Sequence, residues 1–293
     1  MDFKFKIYAP TINEYIRFRE FNNEQYLNIT KSILNDDDDQ LYELYMNLVC
    51  ELSDDNDIVS RVSRVDMFCI LLNLYILCVS SELQIQDPNS GPVGKTAIKL
   101  YDILDMVTNY ETKYSTRIDV SDDISIVVSP PHSLYLSDPD AIIFDCVSRI
   151  KIMNNWFDLS ELSDTEKQHV IDDLPGEVIN GIVKNMYSVN DEYRLNVVKL
   201  GPEPDQSIIL TMYNNSMFEL LKIIYRSSLD NEYFMRYFMA KHLNITITEF
   251  NQMPPAEARA YLKLFQKEQE EQKKEQEKQS KNNSGMHLGS PVG

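Results

Sequence analysis

With 293 residues the chain is long enough to bury a sizeable core unaided by metals or disulfides, as one large domain or two of ordinary size. Its 43% hydrophobic and 10% aromatic content excludes a globally disordered chain. Lys and Arg number 28 against 46 Asp and Glu, a formal charge of −18, which disfavours nonspecific binding to nucleic acid or anionic lipid.

The N-terminus, MDFKFKIYAP, lacks a basic stretch followed by an apolar one, so it does not read as a signal peptide. Phe3 to Tyr8 alternates, turns at Ala9-Pro10 and continues in the aromatic run Ile12 to Phe21, which predicts a hairpin. Tyr26, Ile29 and Ile33, then Leu41, Leu44, Tyr45, Leu48, Val49 and Leu52, recur at helical spacing and predict two amphipathic helices. The run Asp36 to Asp39 between them has neither the alternating ligands nor the glycine of a calcium loop and reads as a solvated helix start.

Val65 to Val79 is the most apolar stretch, too short and too interrupted by Asp66 and Asn73 to span a bilayer; it predicts a core helix with Asp66 as N-cap. Residues 82 to 86 and 96 to 100 read as strands around DPNSGPVGK. Gly94-Lys95-Thr96 there matches the end of a phosphate-binding loop, but position 89 is Asn where the first glycine belongs, and the following residues alternate like a strand instead of opening a helix. A hairpin turn is the preferred reading, and nucleotide binding through this loop the alternative.

Tyr101 to Val107 predicts a short helix, and Thr116 to Val120 with Ile124 to Val128 a hairpin ending at Pro130-Pro131. Ile142 to Ile152 begins as helix and runs into extended chain. Trp156-Phe157 suggests a second small hairpin whose aromatics anchor it to the core, an exposed interaction patch being the competing reading. Ser163 and Glu166 have capping-box spacing for a helix ending before Pro175, and a second helix covers 175 to 187. Tyr193 to Lys199 and Ser207 to Met212 form a strand pair around Gly201-Pro202-Glu203-Pro204.

The rest predicts helices at 217 to 226, 232 to 243, 248 to 253, and a long one from Pro254-Pro255. Beyond Gln266 that helix is wholly polar to Lys281 and cannot bury a face. The fold class is therefore α+β, with helices alternating with short antiparallel hairpins and a C-terminal helical segment. The expected layout is an N-terminal α+β region over 1–130, a second α+β region with a helix pair over 131–253, a C-terminal helix and polar extension over 254–281, and a flexible tail over 282–293.

Chemistry-bearing patterns are sparse. Cys50, Cys69, Cys78 and Cys146 include no CxxC pair, and His132, His169, His242 and His287 are scattered without metal-ligand spacing. GxSxG and GxGxxG are lacking, and eight glycines leave little for cofactor loops. No catalytic, cofactor-binding or metal-binding residue is assigned, and the chain is expected not to be an enzyme.

Four segments in order carry a family likeness: FKIYAPTINEYIRFREFNNEQYLNI at the start, VDMFCILLNLYILCVSSELQI from 65 to 85, IDVSDDISIVV from 118 with CVSRIKI from 146, and SELSDTEKQHVIDDLPGEVINGIV from 160 to 183. Together they resemble the baseplate hub and baseplate hub assembly proteins of T-even-type bacteriophages, and the closing HLNITITEFNQMPPAEARAYLKLFQKEQEEQ is similar to the last helices of phage tail-assembly proteins. The resemblance implies a non-enzymatic hub component or hub assembly factor that binds and organises other baseplate hub and tail proteins. It further implies synthesis in the host cytoplasm and a place in the virion tail baseplate; from the acidic charge and the short, interrupted apolar stretch no nucleic-acid or membrane partner is expected, and no cofactor is expected. On that reading Tyr261, Leu264 and Phe265 are the candidate partner anchors, the competing reading being that they pack on the preceding helix. A third possibility, an acidic nucleic-acid mimic, rests on the charge alone.

Overall fold

The computed structural model describes residues 3–86, 95–108, 116–137, 145–153, 155–159, 162–177, 179–180, 184, 195–199, 207–211 and 214–284. The chain opens on the expected antiparallel hairpin, β1 (Phe5–Ala9) against β2 (Glu14–Phe18), in which Ile7 pairs with Ile16 and both face inward. Asn13 takes the left-handed conformation at its turn, at φ 55°, one that Asn tolerates better than most residues. α1 (Asn23–Leu34) follows, started by a capping box of Asn22 and Gln25. α2 (Asp38–Leu52) begins inside the aspartate run: Asp37 caps it by accepting from the Gln40 amide at 2.9 Å, and Asp38 and Asp39 complement the positive helix end. Asp38 also pairs with Lys222 at 2.7 Å.

After the single turn α3 (Ile58–Arg61), α4 (Arg64–Cys78) runs through the centre with thirteen of its fifteen residues buried. Its N-cap is Ser63, not Asp66. Asp66 occupies the third helical position and closes a capping box by accepting from the Ser63 amide at 3.0 Å. The position is suited to tertiary contact as well, because Asp66 Oδ1 accepts from the Thr11 amide at 2.7 Å and so fastens the central helix to the first hairpin turn.

β3 (Glu82–Gln86) and β4 (Lys95–Lys99) pair antiparallel, and α5 (Leu100–Thr108) leaves β4 directly, so Leu100 opens a helix rather than closing the strand. β5 (Thr116–Asp119), β6 (Ile124–Val128), β7 (Val147–Ile152) and β8 (Asn155–Asp158) form one four-stranded antiparallel sheet in chain order. α6 (Asp164–Asp172) starts with the expected box, the Glu166 carboxylate accepting from the Ser163 amide at 2.9 Å and hydroxyl at 2.7 Å. The second helix expected to Tyr187 lies largely outside the described residues. β9 (Leu195–Lys199) pairs with β10 (Ser207–Leu210), and α7 (Ser216–Tyr225) follows. Short antiparallel pairings among helices make the fold α+β.

One cluster of buried side chains extends from Ile7 to Tyr225 and draws on residues from both sides of position 130. Its centre is aromatic: Tyr225 lies 5.0 Å from Tyr75 and 5.3 Å from Tyr45, centroid to centroid, and both contacts are edge to face. A second, smaller cluster joins α8 (Leu229–Leu243), α9 (Ile247–Gln252) and α10 (Pro255–Ser284) through Phe238, Met239, Phe250 and Ala258. α10 keeps helical geometry for 30 residues, about 45 Å at 1.5 Å per residue, and Gln266 through Lys278 are all exposed.

Candidate interaction surfaces

The four-stranded sheet is covered on one face and open on the other. Register places Ile118, Ile126, Ile150 and Phe157 in one cross-strand row. The three isoleucines are buried in the core, whereas Phe157, on the last strand, is 50% exposed because no described element covers the sheet beyond Ile150. The sequence expectation that Trp156 and Phe157 anchor a hairpin to the core is thus corrected: the hairpin exists, but all four β8 residues are exposed. The reason is topological, since β8 is an edge strand and its side chains have one neighbouring strand where central residues have two.

On the opposite face Trp156 stands between two guanidinium groups, Arg149 at 5.2 Å and Arg117 at 5.7 Å from its ring. Arg117 Nε donates to Asp119 Oδ1 at 2.9 Å, and the Ser125 hydroxyl donates to the same oxygen at 2.6 Å. The Ser125 bond, then that from Arg117, holds the Asp119 carboxyl below its ordinary range. Arg149 pairs with Asp158 across the strands at 3.7 Å. The turn that presents these groups carries Met153, which is exposed and left-handed at φ 57°. Aromatic, arginine and methionine side chains together are the composition favoured in the desolvated centre of protein interfaces.

The second surface belongs to the C-terminal helices. Of the three candidate anchors, Phe265 turns toward α8 and meets Phe238 edge to face at 5.0 Å and His242 at 5.2 Å. Tyr261 and Leu264 are exposed, and the Tyr261 hydroxyl donates to Glu257 at 3.3 Å. The aromatics that reasoning from sequence missed are Tyr233, Phe234 and Tyr237 of α8, all exposed. The signal was present: Tyr233-Phe234 and Tyr237-Phe238 are adjacent aromatic pairs one turn apart, too wide a set for one buried stripe, and only Phe238 is buried.

This helical unit is fastened to the main core. Asn23 donates from Nδ2 to the Phe250 carbonyl at 3.0 Å and from its backbone amide to Met253 at 2.9 Å. Arg259 donates to the Val79 carbonyl at 3.3 Å and lies over the Tyr26 ring at 5.8 Å. A cleft of about 310 Å³ lined by Asn23, Phe234, Met235, Arg259 and Leu262 remains where the two meet.

Lys95 and Thr96 lie in β4, opposite Gln86 and Ile85, where a phosphate loop would have them open a helix; Gly94 lies outside the described residues. Among the described residues no group of three or more His, Cys, Asp or Glu is arranged to hold a metal ion, and no helix is long and apolar enough to cross a membrane. What the folded chain offers on its surface is apolar and aromatic contact area flanked by charge.

A family model described as T4 bacteriophage base plate protein matches residues 1–202. The chain belongs to this family. The match takes in the base plate protein's sheet surface with Trp156 and Phe157 and ends just after β9. β10 and α7 lie past it yet supply Leu210, Phe218 and Tyr225 to the main core, so the family segment and these elements fold as one. The helical unit α8 to α10 lies entirely beyond the match. No curated protein and no solved structure matches this base plate protein.

Proposed function

We propose that this chain is a non-enzymatic component of the phage baseplate hub, or a factor that builds the hub, and that it works by binding and organising other baseplate and tail proteins. The family match over residues 1–202 carries this reading. Supporting it are two exposed aromatic surfaces, one inside the matched segment at Trp156 and Phe157 and one beyond it on the C-terminal helices. A joining protein needs such surfaces rather than a reaction centre. The chain is made in the host cytoplasm and takes its place in the tail baseplate of the virion. Tyr261 and Leu264 contribute to a partner surface, with Phe265 holding their helix against α8.

The test is affinity capture of this protein from phage-infected cells, with mass spectrometry of the captured proteins and of purified virions. Capture of hub proteins together with presence in virions identifies an incorporated subunit. Capture with absence from virions identifies an assembly factor. Capture of no tail protein would overturn the reading.

A further inference from the structure

We infer that α8 is a self-association surface, on which a second copy of this chain docks its own α8 antiparallel across a two-fold axis. Asp230, Tyr233, Phe234, Tyr237 and Lys241 fall at i, i+3, i+4, i+7 and i+11, a face about 100° wide at 3.6 residues per turn. Tyr233 is 47% exposed, Phe234 56% and Tyr237 58%, while the opposite side of the same helix buries Met239 against α9 and α10, and Phe238 lies buried at the border between the two sides, stacked on Phe234 at 6.2 Å. The helix thus has two apolar faces, of which its own chain covers one. Uncovered aromatics in a row are a recurrent mark of a protein contact.

The occupant is set by charge. Acidic residues stand at the first turn of α8, Asp230 and Glu232, and basic ones at its last, Lys241 and His242. An isologous interface must be complementary to itself, each residue meeting its counterpart's partner across the axis. With the axis between positions 235 and 236, Asp230 faces the second copy's Lys241, Phe234 faces the second copy's Tyr237, and the same contacts repeat on the other side. The two helix dipoles also run antiparallel, the favourable arrangement. Asp230 is exposed and in no ion pair among the described residues, and Lys241 lies over Tyr237 at 5.2 Å, at the rim of the aromatic strip where it can reach across. The formal charge of −18 repels two copies at long range, but at 0.15 M salt that repulsion is screened within about 8 Å, leaving the local match to decide.

The surface lies beyond the matched family segment, so the inference does not rest on the baseplate reading and can fail without it. Light scattering coupled to size exclusion, run on the full chain over a concentration series at physiological salt, is the direct measurement. Wild type is expected to reach twice the chain mass with rising concentration, and Tyr237→Asp to stay at the monomer mass with an unchanged circular dichroism spectrum. Asp230→Lys alone and Lys241→Asp alone are each expected to weaken association about tenfold by setting like charges opposite one another. Combining them restores it, which a merely local effect of either change cannot do. A wild type that remains monomeric throughout, or a double variant no better than the singles, would overturn the proposal.

Discussion

Tyr45 and Tyr225 meet edge to face with centroids 5.3 Å apart, both fully buried, yet among the described residues only one of the two hydroxyls finds a partner. Tyr225 donates to the Leu71 carbonyl of α4 at 2.8 Å, whereas the Tyr45 hydroxyl has no protein partner among the described residues. Burial pushes both phenols well above their ordinary range, so each is neutral across the working pH span and the difference between them is one hydrogen bond.

From this, removal of the Tyr225 hydroxyl should destabilise the fold and removal of the Tyr45 hydroxyl should not. Tyr225→Phe removes a buried bond and should cost about 1 kcal/mol, while Tyr45→Phe removes a buried polar group with nothing to lose and should leave stability unchanged or raise it by up to about 1 kcal/mol. Urea unfolding of the two variants beside wild type reads the signs directly. Equal destabilisation by both would show that Tyr45 has an acceptor after all.

Arg64 is fully buried and ties three distant stretches together. Its backbone amide donates to Pro131 at 2.7 Å, its Nε to Ser133 at 2.7 Å and its Nη1 to Asn214 at 2.6 Å. Burial pulls its guanidinium down to about 10, still three units above neutral pH, so the bonds from Nε and Nη1 are charge-assisted bonds to carbonyls. Arg64→Ala should cost roughly 3–5 kcal/mol, since it strands buried carbonyls and leaves a cavity. Arg64→Lys should recover less than half of the loss, because one ammonium cannot span the geometry of a fork. Denaturant midpoints decide it, and full rescue by lysine would reduce the residue's part to its charge.

Met153 holds φ at 57°, a conformation that costs an L residue other than Asn, Asp or Gly about 1–2 kcal/mol. Its backbone amide is committed, donating to the Asp123 carbonyl at 2.7 Å across the sheet, and the side chain is 69% exposed. Packing therefore gives no return for the strain. Met153→Asn should raise the melting temperature by a few degrees, the shift expected for about 1 kcal/mol in a chain of this size. A fall instead would mean that the thioether makes contacts the exposure does not suggest.

Most elements were legible because their periods are clean: the opening hairpin, the amphipathic α1 and α2, the apolar α4 and the Ser163 box all follow from spacing and cap chemistry. Asp66 was misplaced by three positions because Ser and Asp are both good caps, and only the reciprocal bond with Ser63 tells the cap from its partner. The surfaces were less legible, for a different physical reason. Alternation identifies a strand but not whether a further strand will lie beside it, so Phe157 reads as a core residue until β8 is known to end the sheet. Tyr261, Leu264 and Phe265 share one stripe in sequence, but the packing stripe is offset from it: Ala258, Leu262 and Phe265 face α8, which leaves Tyr261 and Leu264 outside.

Trp156, the chain's single tryptophan, offers the most direct test of the sheet surface. It is 37% exposed and flanked by Arg117 and Arg149, so it should emit near the wavelength of a partly hydrated indole and shift to the blue when a partner covers it. Removing the ring takes away contact area and two cation–π contacts at an edge strand but no core packing. Trp156→Ala should therefore cost the fold no more than about 1–2 kcal/mol. If the ring is an interface anchor, the same change should weaken capture of baseplate proteins by at least tenfold, more than 1.4 kcal/mol of binding. Paired measurement of thermal stability and of capture from infected cells separates the two roles. Loss of capture with the fold retained places Trp156 in a partner contact, whereas retained capture would move that contact away from the sheet and onto the C-terminal helices.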